Sequence, residues 1–174
     1  MEFITDLLPI NGFDSVLTMV NQGLTKGVVV FIPCKKSFTA MDTANSYIND
    51  VHKCYGLPTT LISNRGLQFT SKVFEEICKI FSINYQKSTM FHPQTDGESE
   101  HLNQELETYL WLYCTDHPTQ WKDHLPFAEF VHNIWIHQST KMSLFEIMFG
   151  TQPVDIPTAF PRVHQLTRQK SDCI

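Results

Sequence analysis

The chain has 174 residues, a formal net charge of −5, 42% hydrophobic residues and 18% charged residues. That length suits one domain, the composition excludes a disordered or fibrous chain, and no apolar run reaches the ~18 residues of a membrane span. The acidic balance argues against strong stand-alone binding to nucleic acid, which needs Lys and Arg to replace counterions on phosphates, and neither residue occurs between Lys87 and Lys122. The cysteines, Cys34, Cys54, Cys78, Cys114 and Cys173, are odd in number and form no CxxC, which disfavours a disulfide framework or a Cys-rich zinc site and fits a reducing, intracellular setting. The first six residues lack the basic start and apolar core of a secretory signal, so the protein is expected inside the cell and not secreted.

In chain order, Phe3-Ile4 opens as a strand cut short where the chain begins, and residues 16–20 read as a second strand. The unbroken apolar run 28–32 reads as a third strand, buried on both faces. Asn21-Gln22-Gly23 supplies turn chemistry between the second and third, which predicts an antiparallel hairpin. Thr39-Ala40-Met41-Asp42 is a capping-box start. The helix after it places Ala44, Tyr47, Ile48, Val51 and Tyr55 on one face and stops at Gly56 and Pro58. Residues 60–63 form a fourth strand. Thr70 or Ser71 caps a helix with Val73, Phe74, Ile77, Cys78 and Phe81 on its buried stripe. Residues 83–88 alternate as a fifth strand.

Residues 90–99 read as a polar loop that feeds a long helix over about 98–114, with Leu102, Leu106, Tyr109, Leu110 and Tyr113 on its apolar face. Residues 121–133 predict another helix, with Phe127, Phe130 and Val131 in the core, and Ser143 starts a short one. Hairpin, helix, strand, helix, strand and then helices describe an α/β fold, a mixed sheet covered by helices. The domain is expected to span residues 1–153, and the Pro-containing stretch 154–174 is expected to be an extended, poorly ordered tail.

Three positions fall at strand or helix ends: Glu2 on the first strand, Asn64 after the fourth, and Glu100 in the first turns of the long helix, with 35 residues (65–99) between the last two. Three carboxylates so placed would hold two divalent metals, one activating an attacking oxygen and one stabilising the leaving oxygen of a phosphodiester, and magnesium or manganese suits an oxygen-only site. Asn64 is neutral, however, and Asn at a strand end is ordinarily a turn residue. A Glu near a helix start ordinarily stabilises the helix dipole. Histidines His132 and His137 have no accompanying CxxC and read as surface or core residues before zinc ligands. Trp111 reads as a packed or exposed side chain before a base-stacking one.

The stretches "EFITDLLPINGFDSVLTMVNQGLTKGVVVFIPC", "YGLPTTLISNRGLQFTS", "FHPQTDGESEHLNQELETYL" and "HLPFAEFVHNIWIHQSTKMSLFEIMFG" resemble the integrase catalytic core of gypsy-type LTR retrotransposons over roughly residues 2–153. The resemblance implies a ribonuclease-H-like mixed five-stranded sheet, its first strands antiparallel and its first strand truncated here, flanked by helices. It implies metal-dependent polynucleotidyl transfer that joins element ends to target DNA, with Mg²⁺ or Mn²⁺ as cofactor. Its three metal-binding catalytic positions fall on Glu2, Asn64 and Glu100, where the family has Asp, Asp and Glu, and Arg65, Gln94 and Asn103 become the expected nucleic-acid contacts.

Two of these positions depart from the family. Glu2 moves its carboxylate by about 1 Å, an error that can cost around 100-fold. Asn64 offers one neutral oxygen that cannot bridge two cations as a carboxylate does. His101 and Trp111 stand where Arg is usual, Glu98 where Gln is usual, and Leu67 and Leu144 where Pro is usual. The resemblance therefore implies an integrase core with impaired catalysis. Its alternatives are a non-catalytic nucleic-acid-binding or oligomerisation module and the product of a decaying transposon copy. The implied partners are DNA (element ends and target), RNA as a second nucleic acid, and a second copy in a homodimer, with no membrane partner; the implied location is the nucleus or a cytoplasmic particle.

Overall fold

A computed structural model describes residues 1–21, 27–64, 66–87, 93–136 and 140–153, with side chains described at all of these except 67, 68 and 93–100. Strands β1 (Glu2–Ile4), β2 (Ser15–Asn21) and β3 (Val28–Cys34) form an antiparallel ladder in the order β1-β2-β3. Strands β4 (Thr60–Ser63) and β5 (Asn84–Lys87) form a parallel pair. All five strands expected from the sequence are present, paired as two ladders. The Met1 nitrogen donates to the Ile62 carbonyl at 2.7 Å, and the Asn64 N–H donates to the Met1 carbonyl at 3.4 Å. These two bonds set β1 beside β4, and with three residues β1 has few backbone groups to offer a longer ladder.

Strand alternation divides the core between two helical layers. On one face of the antiparallel ladder the register pairs Glu2 with Thr18, Ile4 with Val16, Thr18 with Phe31 and Val20 with Val29. This face packs on α5 (Pro93–Cys114) and α6 (Trp121–Ile134) through Leu102, Leu106, Leu110, Trp121, Leu125 and Ala128. Trp121 also donates its indole N–H to the Leu8 carbonyl at 2.7 Å, which ties the start of α6 to the segment after β1. On the opposite face Leu17, Met19, Val30 and Ile32 meet α1 (Ala40–Ser46), the turn α3 (Leu67–Thr70) and α4 (Lys72–Ile80) through Ala40, Phe69, Phe74 and Cys78. Phe69 is fully buried, stacked on Phe3 with ring centroids 5.0 Å apart and edge-on to Phe74 at 5.7 Å.

The outer edge of β3 is covered by side chains of α6. Asn133 accepts from the Val29 N–H and donates to the Val29 carbonyl, both at 3.0 Å, and Glu129 accepts from the Phe31 N–H at 2.9 Å. The next outward position is Pro33, which has no N–H to satisfy. An edge treated this way is closed to further strand pairing. Burial pushes the Glu129 carboxyl above the usual carboxylate range, opposed by the Phe31 N–H and reinforced by Asp50. Replacing Asn133 with Leu removes both partners of Val29, and we expect a loss of about 2–3 kcal/mol in urea-unfolding stability from the two backbone groups left unpaired.

Several local expectations meet a different structure. Thr39 and Asp42 form the capping box in both directions, and the helical run stops at Gly56, whose φ is 75°. Between them α1 passes into a π-helical segment (Tyr47–His52) before α2 (Lys53–Tyr55). Bonds from i to i+5 widen the turn, so Val51 stays buried at 7% while Ile48, expected on the same face, is 39% exposed. Ser71 caps α4 by accepting from the Phe74 N–H. On that helix only Phe74 and Cys78 are buried, whereas Val73 and the C-cap Phe81 are exposed.

Helix α5 begins at Pro93, inside the segment read as a loop; Pro at the first helical position is pre-set for that role. Phe127, Phe130 and Val131, expected in the core, are half-buried, since the inner face of α6 is taken by Trp121, Leu125, Ala128 and Asn133. Ser143 accepts from the Glu146 N–H and starts the short helix α7 (Leu144–Phe149), as expected. No helix among the described residues is long and apolar enough to cross a membrane. The turn residues Gln22 and Gly23, His137 and the stretch 154–174 lie outside the described residues.

Candidate functional site

The two backbone bonds at Met1 fix a register between β1 and β4. Met1 donates to residue 62 and accepts from residue 64, which in a parallel pair sets it level with Ser63. Side chains alternate, so Met1 and Ser63 face the α3–α4 layer while Glu2 and Asn64 are neighbours on the opposite face, toward α5. The structure thus brings together two of the three expected metal positions, at the junction of the two ladders.

From the α5 side, the Asn103 Nδ2 donates to Glu2 Oε2 at 2.8 Å. Leu102 and Leu106, at 5% and 2% exposure, hold this stretch of the helix against the sheet. Asn103, expected to contact nucleic acid, therefore spends one amide hydrogen on the Glu2 carboxylate. Glu100 lies in α5 one turn before Asn103, on the same side of the helix by the i, i+3 relation. Its side chain and that of Gln94, in the first turn of α5, lie outside the described residues, as does the whole of Arg65.

The strand tip at Asn64 is a built turn. Asn64 Oδ1 accepts from the Gly66 N–H at 3.1 Å, the bond of an Asx turn. Beneath it the Ser63 hydroxyl, 2% exposed, lies 2.8 Å from the Tyr85 hydroxyl, which donates to the Phe69 carbonyl at 2.8 Å. Burial pushes the Tyr85 phenol above its ordinary pKa, against the lowering effect of Ser63. Tyr85 on β5 thus pins both ends of the 64–69 connection. Its place in an alternating strand was legible, but its role in holding this turn carried no sequence signal.

Among the described residues no group of three His, Cys, Asp or Glu side chains could hold a metal ion. His132 instead caps the chain near β3, with Nε2 3.0 Å from the Gly27 carbonyl and Nδ1 3.6 Å from Glu105. Trp111 is 69% exposed on α5.

No protein-family model matches the chain. Over 171 residues, 98% of its length, it is 30% identical to the transposon Tf2-3 polyprotein of Schizosaccharomyces pombe, and equally so to the Tf2-4 polyprotein. The chain spans 13% of the length of those relatives. Among solved structures it is similar to a chain of the simian T-cell lymphotropic virus intasome in complex with the PP2A regulatory subunit B56 gamma, with a TM-score of 0.70 and 19% identity over 92% of this chain and 57% of that one. It is also similar to the HTLV-2 integrase catalytic core domain in complex with magnesium, at a TM-score of 0.65 and 17% identity over 84% of this chain and 93% of that one. The catalytic core domain of BIV integrase superposes with a TM-score of 0.62 and 21% identity, covering 86% of this chain and 93% of that one. Along nearly its whole length the chain is thus similar to Tf2 transposon polyproteins, and its fold is that of retroviral integrase catalytic cores.

Proposed function

We propose that this chain is an integrase core in which metal-dependent DNA strand transfer is impaired, and that Glu2, Asn64 and Glu100 are its metal-site positions. The observation that carries this reading is Asn64 itself. It stands beside Glu2 in register, yet it is a neutral amide whose Oδ1 already accepts from Gly66. The described donors do not fit a pair of divalent cations. One carboxylate, with one oxygen already bonded by Asn103, faces one uncharged oxygen with a lone pair spent. Two such cations would need more negative charge than this to hold them.

Calorimetric titration of the protein with Mg²⁺ or Mn²⁺ tests the reading. Asn64→Asp restores a carboxylate at the strand tip, and we expect it to tighten binding at least about tenfold, which corresponds to 1.4 kcal/mol. Equal affinity in the two proteins would remove Asn64 from the metal site.

The nucleic-acid partner in this reading is DNA, contacted along the α5 side with Arg65 and Gln94 as further contacts, and the place of action is the nucleus. The HTLV-2 core was solved in trimeric and dimeric forms, which supports self-association of this core as well. A second reading is favoured by the same Asn64 and by the net charge of −5: a fold kept for binding or assembly, without chemistry. The two readings differ in whether restoring the carboxylate recovers activity.

A further inference from the structure

Two oxygens beside Glu2 are buried with no hydrogen-bond partner: Thr18 Oγ1 and Asn103 Oδ1. Thr18 lies in the middle of β2, 1% exposed, in an otherwise apolar stretch. It is directly opposite Glu2 in the β1–β2 register, so both side chains face α5, and directly opposed residues hold their Cβ atoms about 4.5–5.5 Å apart. Asn103 reaches the same carboxylate from the helix through its Nδ2 at 2.8 Å. One carboxylate is thus flanked by a hydroxyl and an amide oxygen, walled by Leu102 and Leu106.

We propose that Thr18 and Asn103 hold a single buried water beside Glu2. The amide oxygen can only accept, and the hydroxyl can donate one hydrogen and accept another. Each is left orphaned by the protein, and buried polar groups in this position are ordinarily satisfied by ordered water making about three bonds. A water here accepts from the Thr18 hydroxyl and donates to Asn103 Oδ1, and its remaining hydrogen points to the Glu2 carboxylate. A cation is the weaker occupant. The three side chains supply fewer oxygens than the six or more that magnesium or calcium takes, and Asn103 Nδ2 already directs its hydrogen at the carboxylate a cation would need. The water fixes the plane of the Asn103 amide, and through it the orientation of Glu2. This inference does not rest on the proposed catalytic reading.

Thermal unfolding of Thr18→Val gives opposite signs for the two states of affairs. Valine keeps the shape and removes the hydroxyl. If the hydroxyl merely sits unpaired, its removal leaves Tm unchanged or raises it. If it holds the water, the water is lost, Asn103 Oδ1 is stranded, and Tm falls by about 2–4 °C. Thr18→Ser and Thr18→Ala form a second pair that differ only in the hydroxyl, so the test survives should valine pack badly. The serine variant is expected to melt higher than the alanine variant. A Tm for Thr18→Val at or above wild type, or Ala equal to Ser, overturns the proposal. So does a wild-type Tm that rises with K⁺, Na⁺ or Mg²⁺ while that of Thr18→Ala does not, since that result assigns the site to a cation. A crystal structure is expected to show the water within hydrogen-bond distance of Thr18 Oγ1 and Asn103 Oδ1.

Discussion

The Glu2→Asp, Asn64→Asp double substitution is expected to raise Mg²⁺- or Mn²⁺-dependent strand transfer by roughly 100-fold or more over the wild-type chain. Two effects combine. Shortening Glu2 withdraws its carboxylate by about one methylene, and misplacement on that scale can cost on the order of 100-fold where reacting atoms must be aligned. Restoring a charge at Asn64 adds metal affinity, at a factor of about ten for each 1.4 kcal/mol. The register that sets Asn64 beside Glu2 is made by backbone bonds at Met1, so neither substitution removes the bonds that set it. The Asx turn at Gly66 also persists, because Asp accepts from the same N–H as Asn does. An oligonucleotide strand-transfer assay with labelled element-end DNA checks the outcome. Equal turnover in the two proteins would remove the impairment from the account of this chain. No turnover in either, with metal binding restored in Asn64→Asp, would favour the binding-module reading.

The second large effect is structural. Phe69→Ala is expected to cost about 3–5 kcal/mol, a large part of the ~5–15 kcal/mol that holds an ordinary domain folded. Phe69 is fully buried, stacked on Phe3 of β1 and edge-on to Phe74 of α4, and Phe74 in turn meets Tyr85 of β5 at 5.3 Å. This run of four rings spans from the first strand to the last, across the junction where Glu2 and Asn64 meet. Truncation opens a cavity there and removes one wall of the turn that carries Asn64. Urea unfolding is expected to show a lower midpoint with an unchanged slope. Phe69→Leu, which fills more of the space, is expected to lose less. A loss below about 1 kcal/mol would mean that the rings repack and that the aromatic run does not hold the junction.

Phe69 also marks a boundary of what the sequence discloses. The stretch 61–71 was legible at both ends: Leu61-Ile62-Ser63 as a strand, and Thr70 or Ser71 as the cap of the next helix, which is Ser71 in the structure. The four-residue helix α3 between them was not, because so short a turn has no periodicity to read and exists through burial of Phe69. Ile48 was misplaced for a related reason. A period of 3.6 puts it on the inner face, and the π-helical segment turns it out. At α5 the composition of residues 90–99 misled. Polar residues and Gly97 argue for a loop, yet the helix starts at Pro93.

The site divides in the same way. Spacing and resemblance singled out Glu2, Asn64 and Glu100 as candidates, and the backbone bonds at Met1 set the first two side by side. The turn chemistry of Asn64 was legible as well, and the structure shows that turn. The partner of Asn103 was not legible, since residues 101 positions apart in the chain meet only when α5 packs on β1. Nor was the covering of the β3 edge by Asn133 and Glu129, which look like ordinary polar positions on a helix.

By itself, then, the sequence made legible the order of the five strands and of the longer helices, several of their caps, and candidate positions for the chemistry. These depend on side-chain period and on bonds between residues a few positions apart. The tertiary structure alone decided which faces meet, that Asn103 bonds Glu2 while Asn64 lies beside it in register, and that Thr18 stands opposite the same residue. The bonds from Met1 to Ile62 and from Asn103 to Glu2 join residues 61 and 101 positions apart, and they form only because burial of two apolar layers offsets the entropy of closing such long loops.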